Sequence, residues 1–281
     1  MTVAVNTQFS IIIAANNEED YIGPCLDAVL AQDPEAGVLE VIVAANACTD
    51  RTEDIVTGYL PRFTARGWQL TCLHLDPPGK VGALNAGDRA AIGAMRAYLD
   101  ADVICDPALI GQLRAALSSE RPLYATGTLV VTPARSWITR AYAKFWQQLP
   151  FVKGGAVGAG LFAVNGAGRA LWGDFPEVIS DDTFVRLNFP PDQRIEVPAA
   201  YHWPMIEGWF GLVKVRRRQD AGVREIYDLY PHLAANEAKV GLGRKELVSL
   251  ALRYPVSFAV YVGVALNVRA RPAPAGWTRG R

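Results

Sequence analysis

The chain has 281 residues, 51% of them hydrophobic and 20% charged. That length and apolar content support a sizeable core, exclude a disordered polypeptide, and fit one large α/β domain or one domain with appendages. Twenty-eight basic and twenty-eight acidic side chains cancel, which removes the net positive field of a nucleic-acid binder, so no nucleic acid is expected among the partners.

Residues 1–8 carry neither a basic run nor a long apolar stretch, and the expectation is a cytoplasmic protein. Apolar, strand-like runs at 9–15, 39–45, 69–75 and 95–99 alternate with helix-like segments that begin near Glu18, Asp50, Lys80 and Pro107. Such alternation predicts an α/β fold with a Rossmann-like, mostly parallel sheet, helices on both faces, and ligands at the carboxyl ends of the strands. The polar residues fall at those ends: Asn16, Asn17 and Glu18 after the first strand, Asn46 to Asp50 after the second, Gly79 and Lys80 after the third.

The fourth strand ends on Asp100-Ala101-Asp102, two carboxylates spaced i, i+2, which face the same way on extended backbone. Hard oxygen ligands of this kind suit Mg²⁺ or Mn²⁺, ions that complete their shells with water and phosphate oxygens. The same pattern also arises where acids are merely solvated or cap a helix.

Regularity fades afterwards. Residues 123–131 read as a strand, and 136–149 as an aromatic-rich helix or pair of turns. Residues 153–160 are glycine-rich but lack the order of a phosphate-binding P-loop, and read as a flexible or close-packed loop on the substrate side. Cys25, Cys48, Cys72 and Cys105 are scattered without a Cys-x-x-Cys pair and read as small hydrophobes in a reducing compartment. Residues 254–268 carry no charge and lie between Arg253 and a basic end with Arg269, Arg271, Trp277, Arg279 and Arg281. Too short for the roughly 20 residues of a spanning helix, the stretch has two readings: a core helix, or a peripheral contact with the cytoplasmic face of the inner membrane.

In order and spacing, Ile11 to Glu19, Val41 to Thr52, Gly79-Lys80-Val81-Gly82-Ala83-Leu84-Asn85-Ala86-Gly87 and Asp100-Ala101-Asp102 resemble the signatures of family 2 glycosyltransferases. Ser180-Asp181-Asp182 resembles the family's Glu-Asp catalytic motif, and Val215 to Gln219 a degenerate Gln-x-x-Arg-Trp motif. The resemblance spans about residues 9–222. It implies the GT-A fold and an inverting, metal-dependent, hexosyltransferase-like enzyme of bacterial type, in cell-surface glycan or glycolipid synthesis. The donor would be a nucleotide-diphosphate sugar, and the acceptor a glycan, a lipid-linked carbohydrate or a small molecule. Residue by residue it implies Asp102, assisted by Asp100, as metal ligands; Arg218 with Asp100 at the departing diphosphate; Asp182 as base, beside Asp181; and Ala15, Asn16, Glu18, Asn46 and Lys80 around the nucleotide.

Two departures stand out. Ala45-Asn46-Ala47-Cys48 replaces the usual Asp-Asp-Gly-Ser, so an amide stands where a carboxylate reads the base; uracil is then no longer the obvious choice, and guanine becomes possible. Gln219 replaces a tryptophan associated with the acceptor, which argues against processive synthesis. Phe162, Trp172 and residues 173–176 resemble the acceptor-side segment, and His202 is a candidate third metal ligand against a structural role. The expected organisation is a GT-A domain over 1–222, with a nucleotide-sugar half to about 105 and an acceptor half over 106–222, then a C-terminal helical extension, 223–281. The rivals are a non-catalytic sugar-nucleotide or polysaccharide-binding subunit and a nucleotidyltransferase; the acidic stretch after the first strand argues against the latter.

Overall fold

The computed structural model describes residues 8–239 and 241–270; the basic, tryptophan-bearing end beyond Ala270 lies outside the described residues. The N-terminal half runs β1 (Phe9–Ala15), α1 (Ile22–Leu30), β2 (Leu39–Asn46), α2 (Thr52–Ala65), β3 (Gln69–Leu75), α3 (Lys80–Ala90) and β4 (Met95–Asp100). β1 lies between β2 and β4, β3 pairs with β2, and all three pairings are parallel. Every residue of β2 is buried and β1 nearly so, which is why both read as unbroken apolar runs: in a parallel sheet both faces are covered. Thr52 and Leu109 open helices two residues later than the sequence pattern implies, and α1 opens at Ile22 because residues 18–21 form a turn closed by Tyr21 and Ile22 N–H groups on the Glu18 carbonyl.

The chain continues through β5 (Ile104–Cys105), α4 (Leu109–Ala116), β6 (Tyr124–Val131), α5 (Trp137–Trp146), β7 (Leu161–Val164), α6 (Gly166–Arg169), α7 (Asp181–Leu187), β8 (Arg194–Trp203), α8 (Gly208–Leu229), α9 (Arg244–Arg253) and α10 (Pro255–Arg269). One eight-stranded sheet results, in the order β3-β2-β1-β4-β7-β6-β8-β5. β7 runs antiparallel to both β4 and β6, while β8 is parallel to β6 and antiparallel to β5. The half after β4 is therefore mixed, and β5, β7 and β8 have no counterpart in the sequence reading. α5 is one helix, capped by the Ser136 side chain accepting from Thr139 N–H.

A buried ionic cluster joins the two halves. Asp88, at the end of α3, accepts from Arg96 on β4 (2.6 Å), from Tyr98 (2.5 Å), and from Arg169 on α6 (2.5 Å). Burial works against the charged carboxylate, but these three donors outweigh it and hold Asp88 below the usual carboxylate range. Above it lies an aromatic layer in which Phe162 stacks on Tyr98 with centroids 4.9 Å apart and Trp172 meets Phe175 edge-on at 5.8 Å.

α8 runs unbroken across residue 222. α10 packs on α5 through Phe145–Phe258 and Tyr142–Tyr261 ring pairs, 5.5 and 5.3 Å between centroids. Its Ser257, Val260 and Val264 are buried whereas Val256 and Leu266 are exposed, so the uncharged stretch has a core face and an outer face that is also apolar. Among the described residues no single helix is long and apolar enough to cross a membrane; α9 and α10 pass together by length and composition, but are bent by 119°.

Candidate active site

A cavity of about 710 Å³ opens at the carboxyl ends of β1, β2 and β4 and is closed on the other side by the start of α7, the segment after β8 and one face of α8. Parallel strands place their last residues at this edge, so the polar residues that follow each apolar run converge there. Asn16, Glu18, Asn46, Lys80, Asp100, Asp102, Asp181, Asp182 and Arg218 all line it.

Lys80 stands at its centre. It is the first residue of α3, and its ammonium lies 3.0 Å from Asp100 Oδ1 on β4 and 3.3 Å from Asp181 Oδ2 on α7, tying together two carboxylates from opposite halves of the chain. Burial opposes its charge, but Asp100, Asp181 and Asp182 together outweigh that and raise the ammonium's pKa. Asp181 is buried; Asp182, beside it in the first turn of α7, is half-buried and accepts the Thr183 N–H at 2.6 Å. Burial and then the Asp181 charge push the Asp182 carboxyl up, with Lys80 and the Thr183 N–H pulling the other way. A carboxylate raised in this manner is a better proton acceptor.

α7 itself is held from behind. Arg186, buried on its far turn, binds Glu237 at 3.0 Å, and Glu237 also accepts from Tyr227 Oη on α8 at 2.9 Å. Burial disfavours the charged Glu237, yet Arg186 and Lys239 outweigh this and lower its carboxyl to about 2.

Asn46 is buried, and its amide is engaged on both sides: Nδ2 donates to the Ala15 carbonyl (2.9 Å) and Oδ1 accepts from Gly79 N–H (3.0 Å). It thereby ties the ends of β1 and β2 to the turn that launches Lys80. Asn16 Nδ2 donates to the Asn46 carbonyl at 2.6 Å. Ala15 is fully buried and does not line the cavity; what it offers locally is the carbonyl that Asn46 binds. Asp50 lies off the cavity and accepts from the Thr52 N–H (3.0 Å) at the start of α2.

The glycine-rich loop forms one wall. Gly158 and Gly160 have φ of 67° and 78°, and a Cβ at either would lie 1.8 Å from Tyr124 Oη or 2.6 Å from the Trp203 ring, respectively. Only glycine fits there, so the loop is close-packed. Its start is held by Glu196, which accepts from Ala156 N–H (3.2 Å), and its end by the Gly160 carbonyl accepting from Asp100 N–H (2.8 Å).

Several wall residues escaped the sequence reading. Tyr142, Trp146 and Trp203 make an aromatic side, with Trp146 and Trp203 centroids 6.1 Å apart, and Glu207 accepts from Arg135 and Ser136 N–H groups at 2.7 and 2.8 Å. The signal for Trp203 to Glu207 would have been β8, whose polar residues mask its alternation. Arg218 and Gln219 line the cavity, whereas Arg217 points to the Asn267 carbonyl on α10 (2.6 Å) and Arg216, also at the wall, pairs with Asp220 at 3.1 Å. His202 binds Asp106 at 2.9 Å and does not line the cavity; Phe162 does, Trp172 does not. All four cysteines are free, and burial raises the Cys25 thiol and pushes Cys105 up to about 12, so neither is a ready nucleophile.

Sequence comparison matches residues 10–169, more than half of the chain, to "Glycosyl transferase family 2". The chain belongs to this family. A curated relative, an uncharacterized glycosyltransferase of Nostoc sp., is 29% identical over 100 residues, 36% of this chain and 30% of that protein, so the chain matches less than a third of its length. Among solved structures, the mannosyltransferase PcManGT from Pyrobaculum calidifontis, in complex with GDP-Man and Mn²⁺, aligns with a TM-score of 0.59 at 20% identity over 99% of this chain and 80% of its own. TarS 1–349 from S. aureus, in complex with UDP-GlcNAc, aligns with a TM-score of 0.50 at 20% identity over 72% and 59%. The shared architecture is the GT-A fold, an α/β sheet followed by C-terminal helices.

Proposed function

We propose that the chain is an inverting, metal-dependent glycosyltransferase that moves a sugar from a nucleoside-diphosphate donor to an acceptor hydroxyl. The observation that carries this reading is the Lys80 bridge: carboxylates of the strand-end pair and of α7 face one cavity large enough for a nucleotide sugar. The departing diphosphate develops negative charge that must be met by preorganised cations. Arg218 supplies donors suited to phosphate oxygens, and Lys80 adds a second positive charge. Among the described residues no group of three or more His, Cys, Asp or Glu side chains is set to hold a metal alone. Two carboxylates, Asp100 and Asp102, nevertheless fit Mg²⁺ or Mn²⁺, whose shells are usually completed by water and substrate phosphates. Bound there, the ion would supply Lewis-acid neutralisation of the diphosphate.

Inversion by single displacement needs a base on the face opposite the leaving group. Asp182 is suited to take the acceptor's proton, while Asp181, paired with Lys80, fixes the turn that presents it. Asn46 serves the donor by holding the Gly79-Lys80 turn and Asn16 in place at the cavity wall. We divide the chain into a GT-A domain to about residue 222, its nucleotide half ending near 105, and a helical extension. The enzyme works on the cytoplasmic side, in keeping with its four free thiols, in contact with the inner membrane, and builds surface glycan or glycolipid.

Thermal melting against a panel of nucleotide sugars, with and without Mn²⁺, tests this. A ligand bound only by the native state raises the melting temperature, so one donor should stabilise the protein with Mn²⁺ and turn over on adding an acceptor. Stabilisation without donor cleavage for any acceptor would instead identify a binding subunit.

A further inference from the structure

The outer surface of the two C-terminal helices has features that transfer chemistry does not use. α9 has no buried residue at all. Its Val248 and Leu252, one turn apart on the same row, are 58% and 78% exposed, and α10, beyond the bend, exposes Val256 and Leu266 at 62% and 60%. A helix apolar on its outer as well as its inner face is not at rest in water. α10 lies antiparallel to α5, as the Phe145–Phe258 and Tyr142–Tyr261 pairs require. The end that carries Leu266 therefore points the same way as the start of α5, where Trp137 is also exposed.

Charge selects the occupant. Residues 244–270 carry Arg244, Lys245, Arg253 and Arg269 against one acid, Glu246, and the Glu246 carboxylate is engaged with the Gly243 N–H at 3.1 Å. A second copy of this face would bring like charges together, whereas an anionic surface would meet them with opposite charge. The 119° bend and the short helices suit lying in an interface better than crossing it.

We propose that α9 and the outer face of α10 form an amphipathic foot that docks on an anionic lipid bilayer, with the apolar row inserted at the headgroup level and the basic residues on the phosphates. This deepens the membrane contact proposed above and rests on that reading, but not on the transfer reaction. The foot is one helix away from the cavity: α8 contributes Arg218 and Gln219 to the site, and its Arg217 binds the Asn267 carbonyl of α10. Docking would thus hold the cavity close to the bilayer, where lipid-borne acceptors reside.

Flotation of the full chain with vesicles tests the foot. The protein should rise with phosphatidylcholine vesicles containing roughly a third phosphatidylglycerol, and remain in the dense fraction with phosphatidylcholine alone. Val248→Glu with Leu252→Glu should cut the floated fraction about tenfold while leaving the melting temperature and nucleotide-sugar stabilisation unchanged. Should that pair melt early, Arg244→Glu with Lys245→Glu, both exposed, gives the same readout through charge. Equal flotation of a folded variant and wild type would overturn the proposal. So would a lipid-free dimer in sedimentation that Leu252→Glu dissolves, since the face would then belong to a second copy.

Discussion

The two halves of the sheet reach the same cavity by different routes. Up to Asp100, every strand is parallel and each delivers polar residues to one edge simply by ending there. Beyond it, β5 and β7 run against the other strands, and the site is reached from the N-terminus of a seven-residue helix, a loop free of side chains at its tightest points, and one face of α8. The first half is positioned by backbone topology; the second is positioned by side-chain ties such as Arg186–Glu237 and Glu196 with the Ala156 N–H. Substitutions should therefore act differently on the two sides: loss of a tie in the second half displaces the base, whereas in the first half loss of the Asn46 tie weakens donor binding and loss of the ionic cluster costs stability.

The sharpest contrast comes at Asp182. Asp182→Asn should lower transfer by about 10²–10⁴, the usual contribution of a positioned base, with donor-induced stabilisation retained, as steady-state kinetics and melting would show together. In the wild type, transfer should also fall on the acid side through the raised Asp182 titration, because the base must be ionised to accept a proton. Next is Asp88→Ala, which strands Arg96 and Arg169 in the interior. Removing one partner of a buried ion pair costs about 3–5 kcal/mol, measurable by urea unfolding, and an unchanged midpoint would mean that the cluster does not join the halves.

How much of this could be read from the chain alone follows the same division. β1 to β4 were legible because apolar runs bounded by Asn, Gly and Asp need no partner to be recognised, and β1 and β3 begin and end where the pattern says. β7 and β8 were not, since Leu161–Val164 is only four residues long and β8 carries Arg, Glu, Pro and His, so both depend on neighbours far away in sequence. Apart from Glu207, the cavity's acidic residues were named from motif order, yet the sequence could not reveal that Lys80 spans Asp100 and Asp181, or that Trp146 and Trp203 share a wall. Asn46 adds a role that its place in the motif did not suggest: while lining the cavity, its amide also binds the Ala15 carbonyl and the Gly79 N–H.

Smaller effects refine the comparison. Glu237 titrates at about 2 in the folded protein against about 4.3 unfolded. A depressed carboxyl stabilises above its unfolded pKa and loses that stability as pH falls through the folded value. Between about pH 5 and pH 2 this pair alone should surrender on the order of 3 kcal/mol, and Glu237→Gln should flatten that part of the stability profile. Asn46→Ala leaves the Gly79 N–H and the buried Ala15 carbonyl without this partner and should cost about 1–3 kcal/mol. Its signature is a higher donor KM with the preference between uridine and guanosine donors unchanged; altered preference would mean that the amide reads the base after all.

The central claim is that carboxylates from both halves serve one donor in one cavity. A crystal structure with a nucleoside diphosphate and Mn²⁺, using the anomalous signal to locate the metal, tests it most directly. Mn²⁺ is expected on Asp102 and Asp100, with the diphosphate reaching towards Arg218 and open space for sugar and acceptor in front of Asp182. Metal and nucleotide bound elsewhere, or seated so that Asp182 faces away from the sugar's position, would contradict it.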